Sequence, residues 1–225
     1  MRDVMILITI VKTDFPKCFE DYRRKYVKFV SEERAMKIER IKSEKDRIRT
    51  LLAGLLIRSQ IISRTGLKNE EIFFDYGEYG KPFLRGRDDF YFSVSHSGEC
   101  VAFVSGNEPV GIDIERQNRG NEKIARRFFT ENEYKKIYGT DSAVSFSKIW
   151  TSKEAYIKMT GKGLSQGLDT FDVLDGTSNG YFTTFEIEGG YTVTACSVNP
   201  ERKFRAEVIT EEDLLNNFIK TKPPA

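Results

Sequence analysis

Cysteine is scarce in this chain: Cys18, Cys100 and Cys196 are far apart, odd in number, and form neither a CxxC pair nor a metal-ligand spacing. That excludes a thiolate metal site and a dithiol redox motif, and it favours reduced thiols in a cytoplasmic protein. Long apolar runs are missing as well, so no transmembrane segment is expected. The run Val4–Val11 follows Arg2 but is short, leads into "KTDFPK" and offers no small-residue cleavage site, so it reads as a buried first strand and not as a signal h-region. There is no excess of either charge, the formal net charge being +2, so bulk charge points to no polyanionic partner. Low-complexity tracts are absent, which leaves no compositional case for disorder. Histidine is nearly absent too: His96 is the only one, and the chain shows no Ser-His-Asp arrangement.

What is present is an ordinary globular composition over 225 residues, enough for one or two domains with a real core. Residues 17–49 carry twelve Lys/Arg against seven Asp/Glu, a local excess of +5 (12 − 7). Ser31 with Glu33 and Arg34 marks a helix start, and "IRTLLAGLLIRSQIIS" (48–63) reads as a buried helix stopped by Gly66. "EIFFDY" and "KPFL" predict short strands around the turn "GEYGKP"; "DFYFSVSHSGECVAFVSG" predicts a hairpin with His96 in its turn. "GNEP" (106–109) is the best joint between halves. Beyond it come the strand "VGIDIE", two short helices in "NEKIARRFFTENEYKKIY", and a helix through "AVSFSKIWTSKEAYIKMTG" that Asp141 could cap and Gly161 stops. The tail predicts strands at "FDVLDG", "YFTTFEIEGGYTVTACSV" and "KFRAEVI", then a fraying terminus. Helices and antiparallel strands in both halves indicate an α+β fold, divided into residues 1–106 and 107–225.

Several stretches carry candidate chemistry, each with a plainer reading beside it. In "VGIDIE" the alternation of a half-buried strand leaves Asp113 and Glu115 on one face, about 6–7 Å apart along the backbone. They are either the wet face of a surface strand or two ligands of a cation. Projected at about 100° per residue, Phe146, Ile149, Trp150, Tyr156 and Ile157 form an apolar helix face with Lys153 in its middle. Glu154 and Lys158 flank that face as a surface i,i+4 pair or as site residues. His96 between two serines is a satisfied structural histidine or a ligand contact. "EYGKP" (78–82) is a simple turn, or a place where Gly80 admits a ligand to the backbone and Lys81 meets an anion. "GKGL" (161–164) lacks phosphate-loop spacing and follows a helix instead of opening one.

Taken together, "FSVSHSG" (92–98), "VGIDIE" (110–115) and "WTSKEAYIKMTGKGL" (150–164), in this order, resemble the 4′-phosphopantetheinyl transferases of the surfactin-type single-chain class. The resemblance extends to "IRTLL" (48–52), "EYGKP" and "RFFTENEY" (127–134), about the first three-quarters of the chain. It implies two similar, pseudo-symmetric α+β halves with antiparallel sheets in one monomeric chain, and coenzyme A between them. The implied reaction moves the phosphopantetheine arm of coenzyme A to a serine of an apo acyl or peptidyl carrier protein, releasing adenosine 3′,5′-bisphosphate. The pathway served, whether fatty acid, polyketide or nonribosomal peptide synthesis, is not implied.

By the same resemblance Asp113, Glu115 and Glu154 hold Mg²⁺, with Mn²⁺ as the alternative; hard oxygen ligands suit such an ion. Lys158 reaches the diphosphate, and Glu154 is either a ligand only or also the base. Arg34, Lys37 and Arg49 fall to the 3′-phosphate side, Tyr79, Gly80, Lys81 and Pro82 to the adenine side, and Ser95 and His96 to the phosphates. Residues 117–134 receive the carrier. Two other classes compete. A Mg²⁺-dependent phosphodiesterase or nuclease would use the carboxylates and bind polynucleotide in a salt-sensitive way; the "EYGKP" and "SHSG" turns argue against it, and no nucleic-acid or membrane partner is expected. A non-catalytic coenzyme A- or carrier-binding module would not need Asp113, Glu115, Glu154 and Lys158 together.

Overall fold

The first apolar run forms β1 (Met5–Lys12), continuously buried from Ile8 to Val11, the strand on which the larger sheet is built. The structure, a computed structural model, describes residues 5–117, 120–139, 145–176 and 178–220. Three helices follow: α1 (Phe19–Tyr26), α2 (Glu32–Arg40) and α3 (Glu44–Thr65). Ser31 caps α2 by accepting the Arg34 N–H, and Ser43 caps α3 by accepting that of Asp46. Gly66 ends α3 in the left-handed conformation, φ 74°, where a side chain would be strained. The middle of α3 is apolar all round and buried from Leu51 to Ile57, as a helix through a core must be.

Next come the small hairpin of β2 (Phe74–Tyr76) and β3 (Pro82–Leu84), then β4 (Tyr91–Ser97), β5 (Cys100–Gly106) and β6 (Val110–Arg116). Helices α4 (Glu122–Phe128), α5 (Glu131–Tyr138) and α6 (Phe146–Thr160) precede β7 (Tyr181–Ile187), β8 (Tyr191–Ser197), β9 (Lys203–Thr210) and α7 (Glu211–Lys220). Ser145 caps α6, and Gly161 ends it at φ 73°; Asp141, expected as the cap, lies outside the described residues.

The fold is α+β. One sheet has the order β4-β5-β1-β9, the other β6-β8-β7. Each carries one long helix: α3 lies on β4 and β5, and α6 on β6 and β8. The sheets face each other through Ile6, Ile8, Ile10, Ala102 and Val104 on one side and Ile112, Ile114, Val193 and Ala195 on the other. Burying each of these isoleucine and valine side chains is worth about 1.5–3 kcal/mol.

The structure departs from the sequence expectation in four places. β1 and β9 pair in parallel, Met5 opposite Lys203 through Lys12 opposite Thr210, so the sheets are not wholly antiparallel. The last described residues are helical: α7 seats Leu214, Leu215 and Phe218 in the core that α3 fills. Thus β9 and α7, placed by the sequence in the second half, are built onto the first. "FDVLDG" is no strand: the Phe171 carbonyl accepts from Lys153 (2.7 Å) and the Val173 N–H donates to Glu133 (2.9 Å), so side chains and not a ladder take these backbone groups. His96 stands inside β4, opposite Val101, and the turn falls to Gly98 and Glu99.

Candidate active site

β6 and α6 create the site by approaching closely. A Cβ built on Gly111 would lie 1.9 Å from the Ala155 carbonyl oxygen and 2.6 Å from the Met159 nitrogen, so only glycine lets this strand lie against the helix backbone. The approach brings Asp113 of the strand to Lys158 of the helix. The Lys158 ammonium donates to Asp113 Oδ1 (2.6 Å) and to Ser95 Oγ (2.9 Å), and Ser95 donates to the same Oδ1 (2.6 Å). The other oxygen of this buried carboxylate, Oδ2, has no hydrogen-bond partner. Glu154 and Lys158 are therefore not the surface pair that their spacing allows; Lys158 pairs with Asp113.

On the facing edge, β4 meets β6 through three serines at alternate positions. Ser93 Oγ accepts the Ile112 N–H (3.1 Å), Ser95 serves Asp113, and Ser97 donates to Glu115 Oε2 (2.8 Å). Hydroxyls replace a backbone ladder along this seam. Burial pushes the pKa of Glu115 above its ordinary value, and the charge of Asp113 adds to the rise. Burial does the same to Glu154, where Asp113 and Glu115 add and Lys158 opposes.

A cleft of about 840 Å³ collects most of the expected residues: Arg34, Lys37, Gly80, Pro82, Ser95, His96, Asp113, Glu115, Glu154 and Lys158 all line it. Tyr79 and Lys81 line an adjoining pocket of about 350 Å³, which shares Gly80, Pro82, Glu154 and Lys158 with the cleft. Arg34 crosses Gly54 of α3, where a Cβ would fall 2.6 Å from its Cδ, and donates to the Thr50 carbonyl (3.3 Å). The surrounding protein, with the cations Arg49 and Lys158, holds His96 below its ordinary pKa.

Two expected residues are held by protein partners of their own. Lys81, expected to meet an anion, donates to the carbonyls of Val110 (3.3 Å) and Met159 (3.2 Å), joining the start of β6 to the end of α6. Burial pushes its pKa down to about 8. Arg49 borders neither cavity; it pairs with Asp46 and donates to the Gly98 carbonyl, leaving its buried Nε without a partner. The apolar-face lysine, Lys153, is wholly buried with Glu133 of α5 (2.8 Å), and so ties α5 and the loop after α6 to that helix.

Among the described residues no three His, Cys, Asp or Glu side chains form a ready-made metal cage. The donor chemistry still fits a hard divalent cation. All three candidate ligands are carboxylates on one cleft, Asp113 Oδ2 is a buried acceptor with nothing to accept, and mutual repulsion adds to the raised pKa values of the other two.

Comparison with known proteins agrees with this geometry. A family model described as the 4′-phosphopantetheinyl transferase superfamily matches residues 109–209, and one described as 4′-phosphopantetheinyl transferase, N-terminal, matches residues 19–108. The 4′-phosphopantetheinyl transferase Sfp of Bacillus subtilis (strain 168) is 33% identical over 211 residues, covering 87% of this chain and 94% of the relative. The chain belongs to the 4′-phosphopantetheinyl transferase family. The transferase psf-1 of Bacillus pumilus is 34% identical over 205 residues, 84% of this chain and 88% of its own. That of Aneurinibacillus migulanus, gsp, is 43% identical over 145 residues, 63% and 60% of the two chains.

This phosphopantetheinyl transferase also lines its cleft with residues the sequence did not single out. Trp150, read as core, is half-buried on the cleft wall, stacked on Phe146 with ring centroids 6.1 Å apart. Tyr76, which also lines the cleft, donates to Glu33 (2.8 Å). Neither carries a local signal, since each faces the cleft only because distant elements fold beside it. Among the described residues no helix is long and apolar enough to cross a membrane.

Proposed function

We propose that this enzyme transfers the 4′-phosphopantetheine arm of coenzyme A to the serine hydroxyl of an apo acyl or peptidyl carrier protein, with Mg²⁺ or Mn²⁺ in the site. The single observation that carries the reading is the cleft in which Asp113, Glu115, Glu154 and Lys158 meet Arg34, Lys37 and His96. Carboxylates and cations on one cavity suit a ligand that brings both a metal-binding diphosphate and a separate phosphate.

In this reading the carrier serine oxygen bonds to the phosphorus next to pantetheine, and the bond to the bisphosphate breaks. Asp113, Glu115 and Glu154 would hold the cation, which when bound would neutralise the diphosphate. Lys158 meets the diphosphate and stabilises charge on the leaving side. Arg34 and Lys37 suit the 3′-phosphate, and the pocket beside Tyr79 and Gly80 suits the adenine. Glu154 either only holds the cation or also takes the serine proton. Lys123 and Arg127, exposed on α4, offer cations to an acidic carrier helix. The free thiols, with Cys100 and Cys196 buried, support a reducing compartment such as the cytoplasm.

The test is to incubate the protein with coenzyme A, Mg²⁺ and apo carriers of fatty-acid and peptide-synthetase type, then weigh each carrier by mass spectrometry. A gain of one phosphopantetheine that chelation abolishes is expected. No gain on any carrier refutes the reading.

A further inference from the structure

The seam between β4 and β6 gives the three serines unequal work. Ser93 satisfies a backbone N–H, and Ser95 completes the Asp113–Lys158 cluster. Ser97 does something neither does. Its oxygen accepts the Arg116 N–H (3.3 Å), which leaves its proton for Glu115 Oε2 (2.8 Å). Both contacts lie on the last two residues of β6, where the strand leaves the sheet.

Glu115 needs such a partner more than Asp113 does. Asp113 is short and gripped by both Ser95 and Lys158. Glu115 has one more torsion, sits at a strand end and is only half-buried. Ordering a glutamate side chain costs rotamer entropy, which a fixed donor offsets in advance. Donors that orient ligand carboxylates commonly change metal affinity about 10–100-fold.

We infer that Ser97 is a positioning residue, whose hydroxyl holds the Glu115 carboxylate in place for the divalent cation. The inference rests on the reading of Asp113, Glu115 and Glu154 as the cation's ligands. It concerns affinity for the ion, not the chemistry of transfer.

The experiment titrates Mn²⁺ into the full-length enzyme and reads free ion by electron paramagnetic resonance, for the wild type, Ser97→Ala, Ser97→Thr and Ser93→Ala. Ser97→Ala is expected to raise the Mn²⁺ Kd about 10-fold or more. Ser97→Thr, which keeps the hydroxyl, recovers most of that loss, and Ser93→Ala, which disturbs the same seam, leaves the Kd near wild type. In the transfer assay, raising the metal concentration restores the rate of Ser97→Ala. An unchanged Kd in Ser97→Ala, or an equal rise in Ser93→Ala, overturns the inference while the site reading stands. A wild type with no Mn²⁺ affinity overturns both.

Discussion

Replacing Gly111 by alanine adds one carbon at the point where strand and helix touch. The added Cβ would stand 1.9 Å from the Ala155 carbonyl oxygen, and real contacts of this kind essentially never fall below 3.0 Å, so the backbones must part by at least 1.1 Å (3.0 − 1.9). Neither partner can turn aside, because both nearest atoms, the Ala155 oxygen and the Met159 nitrogen, belong to the helix backbone. Asp113 lies two residues along the strand, while Glu154 and Lys158 flank Ala155 on the helix, so the displacement opens the site itself. Overpacking of this kind costs about 1–3 kcal/mol, which for a chain of this size lowers Tm by roughly 2–12 °C. A misplacement of about 1 Å costs about 100-fold in rate. The assay is the kcat/KM of transfer, followed by carrier mass, at a temperature where circular dichroism shows both proteins folded. A folded Gly111→Ala enzyme with the wild-type rate refutes the argument that this glycine sets the distance between β6 and α6.

Two further predictions concern buried charge. Lys153→Met leaves Glu133 charged and unpaired in a site with no exposure on either partner, so urea unfolding should show a loss of about 3–5 kcal/mol, partly recovered in K153M/E133Q. A loss of about 0–1 kcal/mol, typical of exposed pairs, contradicts the structural role given to this pair. The second uses the raised pKa values of Glu115 and Glu154, which bind their protons more tightly folded than unfolded. Their contribution to stability is complete below the ordinary value of 4.5 and is lost as pH rises through the raised folded values. Without divalent ions, stability plotted against pH above 4.5 should therefore fall less in Glu154→Gln than in the wild type; parallel curves refute the assignment.

The features legible in the sequence are those that local chemistry encodes. Ser31 and Gly66 mark helix ends because caps and left-handed turns are decided within a few residues. The alternation of "VGIDIE" places Asp113 and Glu115 together because a strand's period is local, and Ile112 and Ile114 fill the core between the sheets as that period requires. What escaped was decided between distant segments. The parallel pairing of β1 with β9 joins residues nearly 200 positions apart, so no local pattern reports it. The same distance hides α7: its acidic first turn reads as solvated, and only the surface of α3 gives Leu214, Leu215 and Phe218 something to bury against.

Lys81 and Ser97 show how this limit falls inside the site. A lysine after a glycine turn looks like an anion ligand, and nothing local reveals that two carbonyls, from Val110 and Met159, are its partners. A serine beside a histidine looks like part of the same ligand turn, yet strand geometry sends its hydroxyl across the seam to Glu115. Which residues can do chemistry is therefore written in residue type and spacing. Which of them face the ligand, and which hold the others in place, is fixed by the contact of β4 with β6 and of β6 with α6. Gly111 permits the second of these contacts, and the serines complete the first.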